Sequence, residues 1–417
     1  MRREDIDTVV VGGGQAGLSI SYHLTKQNRE HVVLERESTI GSSWRSRWDS
    51  FTLVTPNWML RLPGFPYEGD EPDGFLARDE VVRYLEDYAK LLDPPIRFQT
   101  TVTSVHRDAA GTHYLVETGD STFRTRNVVV ATGSFQEPKI PPASARFPDD
   151  IVQIHSHEYR NPGELPQGAV LVVGSGQSGC QIAEELYKSG RKVYLCVGRA
   201  GRIPRRYRGR EMGWWLNDLG WFDETVDKLP SPKAKFEGSQ HLTGKNGGYE
   251  LNLHQFARDG VVLLGRLKNV HRDKVVLHPD LKENLANADK FASDLRKAID
   301  EYIDKKGLRV PREPDRPEPR DGYDAESILE LDPKSAGIGS VVWATGYRFD
   351  YAWVDLPVFD EDGYPIQKRG ITKFPGLYFL GLHWLHTGKS GLLFGVGDDA
   401  EHVASTIASR SGAEPSE

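Results

Sequence analysis

Two glycine-rich segments hold the residues best suited to chemistry: Gly12-Gly13-Gly14-Gln15-Ala16-Gly17 and Gly174-Ser175-Gly176-Gln177-Ser178-Gly179. Both have the G-x-G-x-x-G spacing. The first glycine turns the chain, the second lets backbone approach a pyrophosphate, and the third lets a helix close on a strand. The free N–H groups at that helix start then favour an anion. Dinucleotide binding is implied twice. Past the first turn, Glu35 stands at the tip of the next strand, where a carboxylate accepts hydrogen bonds from ribose hydroxyls, as suits the adenosine of FAD. Past the second turn the corresponding residue is Val197, followed by Gly198, Arg199, Arg202, Arg205 and Arg206. A guanidinium binds a 2′-phosphate that a carboxylate would repel, so this site is expected to prefer NADPH, with Arg199 and Arg206 as candidate ligands.

The elements that must position these turns can be read from apolar runs. Residues 8–11 are β-branched and too short for a helix, which predicts a buried parallel strand; a helix follows, and 31–35 form the next strand. The same order recurs at 169–173, in a helix through Leu186, and at 192–197. Between the two units, 96–107, 112–118 and 121–124 predict a three-strand meander, and a separate strand 127–130 runs into Ala131-Thr132-Gly133. Further strands are predicted at 341–343, before Ala344-Thr345-Gly346-Tyr347, and at 377–380, before Gly381. A last helix covers 398–409, and apolar positions from Leu281 to Ile303 fall at helical spacing. Prolines at 138–148 and at 311–319 mark two linkers. The expected fold is α/β: two Rossmann-like dinucleotide-binding domains, the NADP domain inserted into the FAD domain. The boundaries read 1–145 for the first part of the FAD domain, 146–334 for the NADPH domain, 335–410 for the second part and 411–417 for a disordered tail.

Composition narrows the field. In 417 residues, 53 Lys and Arg face 60 Asp and Glu, a net charge of −7 that leaves no basic field for nucleic acid. No apolar run approaches the roughly 20 residues of a membrane helix. The N-terminus lacks the apolar core of a secretory signal, so a cytoplasmic location is expected. The only cysteines, Cys180 and Cys196, cannot form a CxxC pair or a cysteine zinc site, and His383 with His386 lacks a third ligand, so no metal is expected. Redox chemistry therefore needs a bound cofactor.

Taken in order, the two turns, Glu35, Gly41-Ser42-Ser43-Trp44, Ala131-Thr132-Gly133, Ile154-His155-Ser156 with Tyr159, and Ala344 to Tyr347 resemble the class B flavin-dependent monooxygenases. That family includes plant indole-pyruvate monooxygenases and bacterial flavoproteins associated with cation transport. The resemblance implies FAD and NADPH as cofactors. It also implies an FAD site that includes, beside the first turn and Glu35, Arg36, Trp44, Arg45, Val102, Ala131, Thr132, Gly133, Ala344, Thr345, Gly346, Tyr347, Gly381 and Leu392. Asn57 resembles an asparagine that sits over the flavin ring, with a structural turn residue after Pro56 as the other reading. His155 is the second catalytic candidate, against a hinge histidine bonded to backbone. The family's Phe-x-Gly-x-x-x-His is altered here, since Asp149 and Ile151 stand at the first two places, and Tyr159 takes the downstream aromatic position.

The implied reaction is hydride transfer from NADPH to FAD, formation of a C4a-peroxyflavin with O2, and oxygenation of a small organic substrate at nitrogen or sulfur, with a 2-oxo acid also open. An NADPH-dependent reductase serving a protein or quinone, and a redox sensor without turnover, are the alternatives. Monomer and homo-oligomer stay open. Trp214, Trp215, Trp221 and Phe222 read equally as a substrate lid or as the packing of an insertion.

Overall fold

The computed structural model describes residues 2–237, 240–271, 273–314 and 317–412. The chain opens with strand β1 (Arg2–Val11), whose last four residues are buried on both faces, as an apolar run within a parallel sheet requires. Helix α1 (Gln15–Lys26) leads to strand β2 (His31–Leu34). After helix α2 (Arg78–Leu92) come strands β3 (Ile96–Arg97), β4 (Val102–Arg107), β5 (Tyr114–Thr118) and β6 (Ser121–Val130).

Here the strands differ from the expected meander in two ways. Residues 96–97 pair with β2, apart from β4. Residues 121–124 and 127–130 form one continuous strand: β6 pairs antiparallel with β5 over 122–125 and parallel with β1 along its length. Its burial alternates in the first half and is continuous in the second. The change of pattern marks a strand passing from beside an antiparallel hairpin into a parallel core, and a chain break does not occur.

The second sheet is built from strands β7 (Val152–His155), β8 (Ala169–Val173), β9 (Val193–Cys196), β10 (Val262–Leu264) and β11 (Ile338–Trp343), with helix α3 (Gln177–Lys188) after β8. Its order is β7-β11-β8-β9-β10, with every pair parallel. The long helix α4 (Leu281–Lys306) buries Leu285, Ala292, Leu295 and Ile299, one face at helical spacing. The chain then returns to the first sheet through β12 (Gln367–Lys368), β13 (Ile371–Thr372), β14 (Leu377–Phe379) and helix α5 (Val396–Gly412). In these described residues the first sheet is nine-stranded, ordered β12-β13-β14-β6-β1-β2-β3 with β4 and β5 attached through β6.

Two boundaries move. Strand β11 lies between β7 and β8, so residues 338–343 belong to the second sheet and not to the returning FAD segment. The return crossover is therefore Ala344 to Asp350, where Tyr347 and Arg348 pair antiparallel with Pro138 and Glu137. The two crossovers thus form one ribbon. The prolines of 311–319 belong to a strap on the second domain, held by Glu318 on Arg202 and Arg296 and by Glu313 accepting from Arg208 N–H. Proline and charge suit an extended strap as well as a linker. Of the expected tail, 413–417 lie outside the described residues, and α5 takes in 411 and 412.

The apolar core follows the sheets. Val9, Val10, Val128, Val129 and Phe379 are sealed in the first domain, and Val170, Val172, Ile182 and Leu195 in the second. Each such side chain contributes about 1.5–3 kcal/mol on burial. A separate cluster of Ile203, Met212, Trp215, Leu295 and Ile299 supports the segment after β9.

Candidate active site

The two glycine turns are built alike. Gly12 has φ +106°, and a side chain there would meet the Ala131 carbonyl at 2.7 Å; Gly174 has φ +107° and the Ala344 carbonyl at 2.5 Å. In each domain the Ala-Thr-Gly segment thus presses its first carbonyl onto the glycine turn. Gly17 and Gly179 lie against the carbonyls of Gly12 and Gly174, closing helix on strand. At Gly14 and Gly176, by contrast, a Cβ would meet nothing within 4 Å. Neither α1 nor α3 has a side-chain cap or an acid in its first turn. Open space over uncapped N–H groups fits the pyrophosphate of a dinucleotide at both places.

The first turn is locked to its strand tip. One Glu35 oxygen accepts from Gly13 N–H at 2.6 Å and the other from Glu37 N–H at 2.9 Å, which fixes the carboxylate and leaves lone pairs outward. Gln15 Nε2 donates to the Gly391 carbonyl at 2.9 Å, and Ala16 lies beneath Gly381, so the C-terminal segment carrying Leu392 closes over the helix start. Trp44 is half-buried against Phe51, while Arg36 is exposed and pairs with Glu37. Val102 begins β4 opposite Thr118. Arg45 points outward to Glu86. Gln136 Nε2 bonds Thr132 Oγ1 and the Gly133 carbonyl.

At the second turn, Gly198 N–H donates to Ser175 Oγ at 2.8 Å. Gln177 Nε2 is used by the Leu242 carbonyl, so this expected cofactor ligand serves the fold, and Ser178 is half-buried beside it. Among the arginines only Arg199 is exposed with no bonded side-chain partner among the described residues. Arg206 donates to the carbonyls of Gly247 and Gly248, so its guanidinium is already occupied. Arg202 is buried with Glu250, Asp289 and Glu318, and Arg205 with Glu211 at 2.7 Å.

Both catalytic candidates have structural commitments. Asn57 is buried; its Nδ2 donates to the Glu71 carbonyl at 2.9 Å and its Oδ1 accepts from Leu76 N–H at 3.0 Å. The amide stitches the loop 71–76 to the turn after Pro56, which is the turn-residue reading. His155 is fully buried. Its Nδ1 accepts from His157 N–H at 3.1 Å, which places the ring proton on Nε2, and Nε2 donates to the Gly346 carbonyl at 2.9 Å. Burial holds its pKa below the usual imidazole range, with the Gly346 bond opposing. A neutral ring with both nitrogens spent bolts the crossover ribbon to β7, and its edge meets Tyr347 at 5.1 Å. Thr345 Oγ1 bonds the Lys139 carbonyl in the same ribbon. Tyr159 is fully buried.

The insertion after β9 is joined to the C-terminal segment that closes over the first turn. Val226 N–H donates to His386 O at 2.9 Å, Gly388 N–H to Glu224 O at 3.1 Å, and Lys389 pairs with Asp223 at 2.8 Å. Trp214 stacks on Trp58 at 4.0 Å between centroids and donates to Asp73, and Phe222 meets Phe394 at 5.6 Å. His241 Nε2 donates to Ser175 O at 2.5 Å. One arm therefore touches the second glycine turn and the C-terminal loop that closes the first, and it is more than local packing. Sequence reasoning missed His241, Leu242 and the inward Arg47; their partners lie far away in the chain, and no local spacing singles them out.

No described helix is long and apolar enough to cross a membrane. The family model for pyridine nucleotide-disulphide oxidoreductases matches residues 9–214. An uncharacterised CzcO-like oxidoreductase of Geobacillus kaustophilus is 34% identical over 406 residues, covering 96% of this chain and 98% of its own. A probable indole-3-pyruvate monooxygenase, YUCCA3 of Arabidopsis thaliana, is 28% identical over 440 residues, covering 96% and 86%. Among solved structures, a flavin-containing monooxygenase from Stenotrophomonas maltophilia superposes with a TM-score of 0.67 at 20% identity, covering 98% and 99%.

Proposed function

This chain belongs to the class B flavin-dependent monooxygenase family, on its CzcO-like branch, and from that membership we propose an FAD-containing, NADPH-dependent monooxygenase acting on nitrogen or sulfur of a small organic molecule. The observation that carries the reading is the pair of matched turns, each open above its middle glycine, with a fixed carboxylate beside one and a free guanidinium beside the other.

In this reading the N–H groups after Gly14 hold the FAD pyrophosphate, and Glu35 accepts from ribose hydroxyls. Those after Gly176 hold the NADPH pyrophosphate, and Arg199 takes the 2′-phosphate. FAD held there would supply the chemistry, as acceptor of hydride from NADPH and activator of O2, with one oxygen atom going to the substrate and the other to water. The chain's own work is to align and to exclude water. His155 and the ribbon 137–138 with 347–348 fix the relation of the two domains. The arm zipped at 222–226 to 386–389 walls the flavin side, with Trp58, Trp214, Phe222 and Phe394 as its apolar lining. Tyr159 in the downstream aromatic position favours heteroatom oxidation or decarboxylation over Baeyer-Villiger chemistry.

Cys180 and Cys196 are free and buried, and burial pushes the Cys196 thiol up to about 12, so neither supports disulfide reduction. The test is isotopic. Purified flavoprotein is given NADPH, 18O2 and a panel of tertiary amines, thioethers and 2-oxo acids, and products are weighed by mass spectrometry. Incorporation of one 18O into an amine or sulfide is expected. NADPH oxidation matched fully by hydrogen peroxide across the panel, with fast quinone reduction, would replace this reading with the reductase.

A further inference from the structure

The segment after Trp44 sends two arginines in opposite directions. Arg45 turns out to Glu86. Arg47 turns in, its guanidinium 4.8 Å from the Phe135 ring and 5.9 Å from Phe51, and Tyr347 is its neighbour. Its Nε is shielded from solvent and unbonded, and no carboxylate among the described residues pairs with it. Other enclosed guanidiniums in the chain are answered. Arg202 has three carboxylates, Arg205 has Glu211 and the Val54 carbonyl, and Arg160 has the carbonyls of Ser46, His157 and Tyr159. Leaving a cation enclosed without counter-charge is costly, so a ligand anion is the missing partner.

The surroundings say which anion. Arg36, Arg47 and Arg160 all act on His157, holding its pKa down behind the larger effect of burial, with Glu158 alone opposing. The surroundings of Arg47 are therefore positive. Phe135 lies just past Gly133 and Tyr347 directly past Gly346, so the Ala-Thr-Gly segments of both nucleotide domains feed into them. Aromatic faces hold the guanidinium plane and the Tyr347 hydroxyl accepts from it, but neither supplies a counter-charge, and a planar guanidinium matches phosphate oxygens in pairs.

We propose that Arg47 binds a phosphate of the dinucleotide lying in this seam, FAD or NADPH. This rests on the proposed function in that it requires a dinucleotide. The experiment measures dissociation constants of both, FAD by fluorescence quenching on apoprotein and NADP+ by flavin absorbance changes on holoprotein, for wild type, Arg47→Met, Arg47→Lys and Arg45→Ala. Met keeps the packing between Phe51 and Phe135 and removes the charge. Arg47→Met is expected to weaken one of the two by roughly 10- to 100-fold, the loss of a charged hydrogen-bonded contact. The dinucleotide affected identifies the phosphate. Arg47→Lys should lie between, and Arg45→Ala should stay within twofold.

If Arg47→Met does not yield folded protein, Arg47→Lys carries the test, since it keeps charge without the fork; a threefold or greater loss is expected. Folded Arg47→Met with both constants within twofold of wild type overturns the inference. Wild type that binds neither dinucleotide refutes the proposed function before Arg47 is tested, so the two failures are distinguishable.

Discussion

Replacing His155 separates a structural bolt from a proton donor. In His155→Phe the ring volume stays, but the His157 N–H loses its acceptor and the Gly346 carbonyl keeps only the Lys139 N–H. One orphaned N–H costs about 1–3 kcal/mol, which is the loss expected. At about 2–4 °C per kcal/mol for a domain of this size, the melting midpoint of the second domain should fall by at least ~2 °C. His155→Gln can still offer an N–H toward Gly346 and should lose about half as much. The pH dependence follows from the lowered pKa. The folded ring resists protonation that the unfolded ring accepts, so the unfolded state binds more protons below about 6.5 and stability falls as pH drops through that window. His155→Phe should flatten this contribution. The assay pairs thermal melts between pH 5 and 8 with NADPH-dependent flavin reduction. Turnover should track stability, with Gln recovering most of both. Loss of flavin reduction in Phe and Gln alike, with unchanged melting, would refute the bolt and restore a catalytic role.

Three further outcomes are expected. Gly14→Ala should fold with a normal melting point but lose FAD, because its Cβ enters empty space that the pyrophosphate needs, whereas Gly12→Ala, at φ +106° against the Ala131 carbonyl, should lose stability as well; flavin content and melting curves distinguish them. Arg199→Ala should raise the KM for NADPH by about 10- to 100-fold and leave that for NADH near wild type, read by steady-state kinetics. His241, fully enclosed and pushed down to about 4 by burial, should cost stability as pH falls from about 6.5 toward 4, up to one proton's slope, and His241→Asn should reduce that slope in urea titrations.

The fold was legible where its signals are local. Apolar runs at 8–11 and 169–173 ending on glycines specify a buried strand and a turn whatever lies elsewhere, and both turns formed as read. The errors arose where one local pattern serves two tertiary ends. Alternation at 121–125 followed by continuous burial looks like two strands, but one strand can change neighbours along its length. The proline-rich 311–319 has a linker's composition, and its described residues Glu313 and Glu318 make a strap's contacts. Asn57 and His155 stand out in the sequence, yet what they bond depends on carbonyls contributed from elsewhere: Glu71 for one and Gly346, 191 positions away, for the other.

The arginines show the same rule applied to the site. Arg199, Arg202, Arg205 and Arg206 read alike in sequence, and Arg45 reads like Arg47. Carboxylates and carbonyls from other elements sort them. Glu250, Asp289 and Glu318 absorb Arg202, Glu211 absorbs Arg205, loop carbonyls take Arg206, and Glu86 takes Arg45. What remains among these are two guanidiniums answered by neither a carboxylate nor a carbonyl of the described residues, Arg199 at the tip of β9 and Arg47 beside the ribbon. A cation the fold leaves unpaired while pairing its neighbours is better evidence for a ligand than any count of basic residues, because charge balance has already discounted the others.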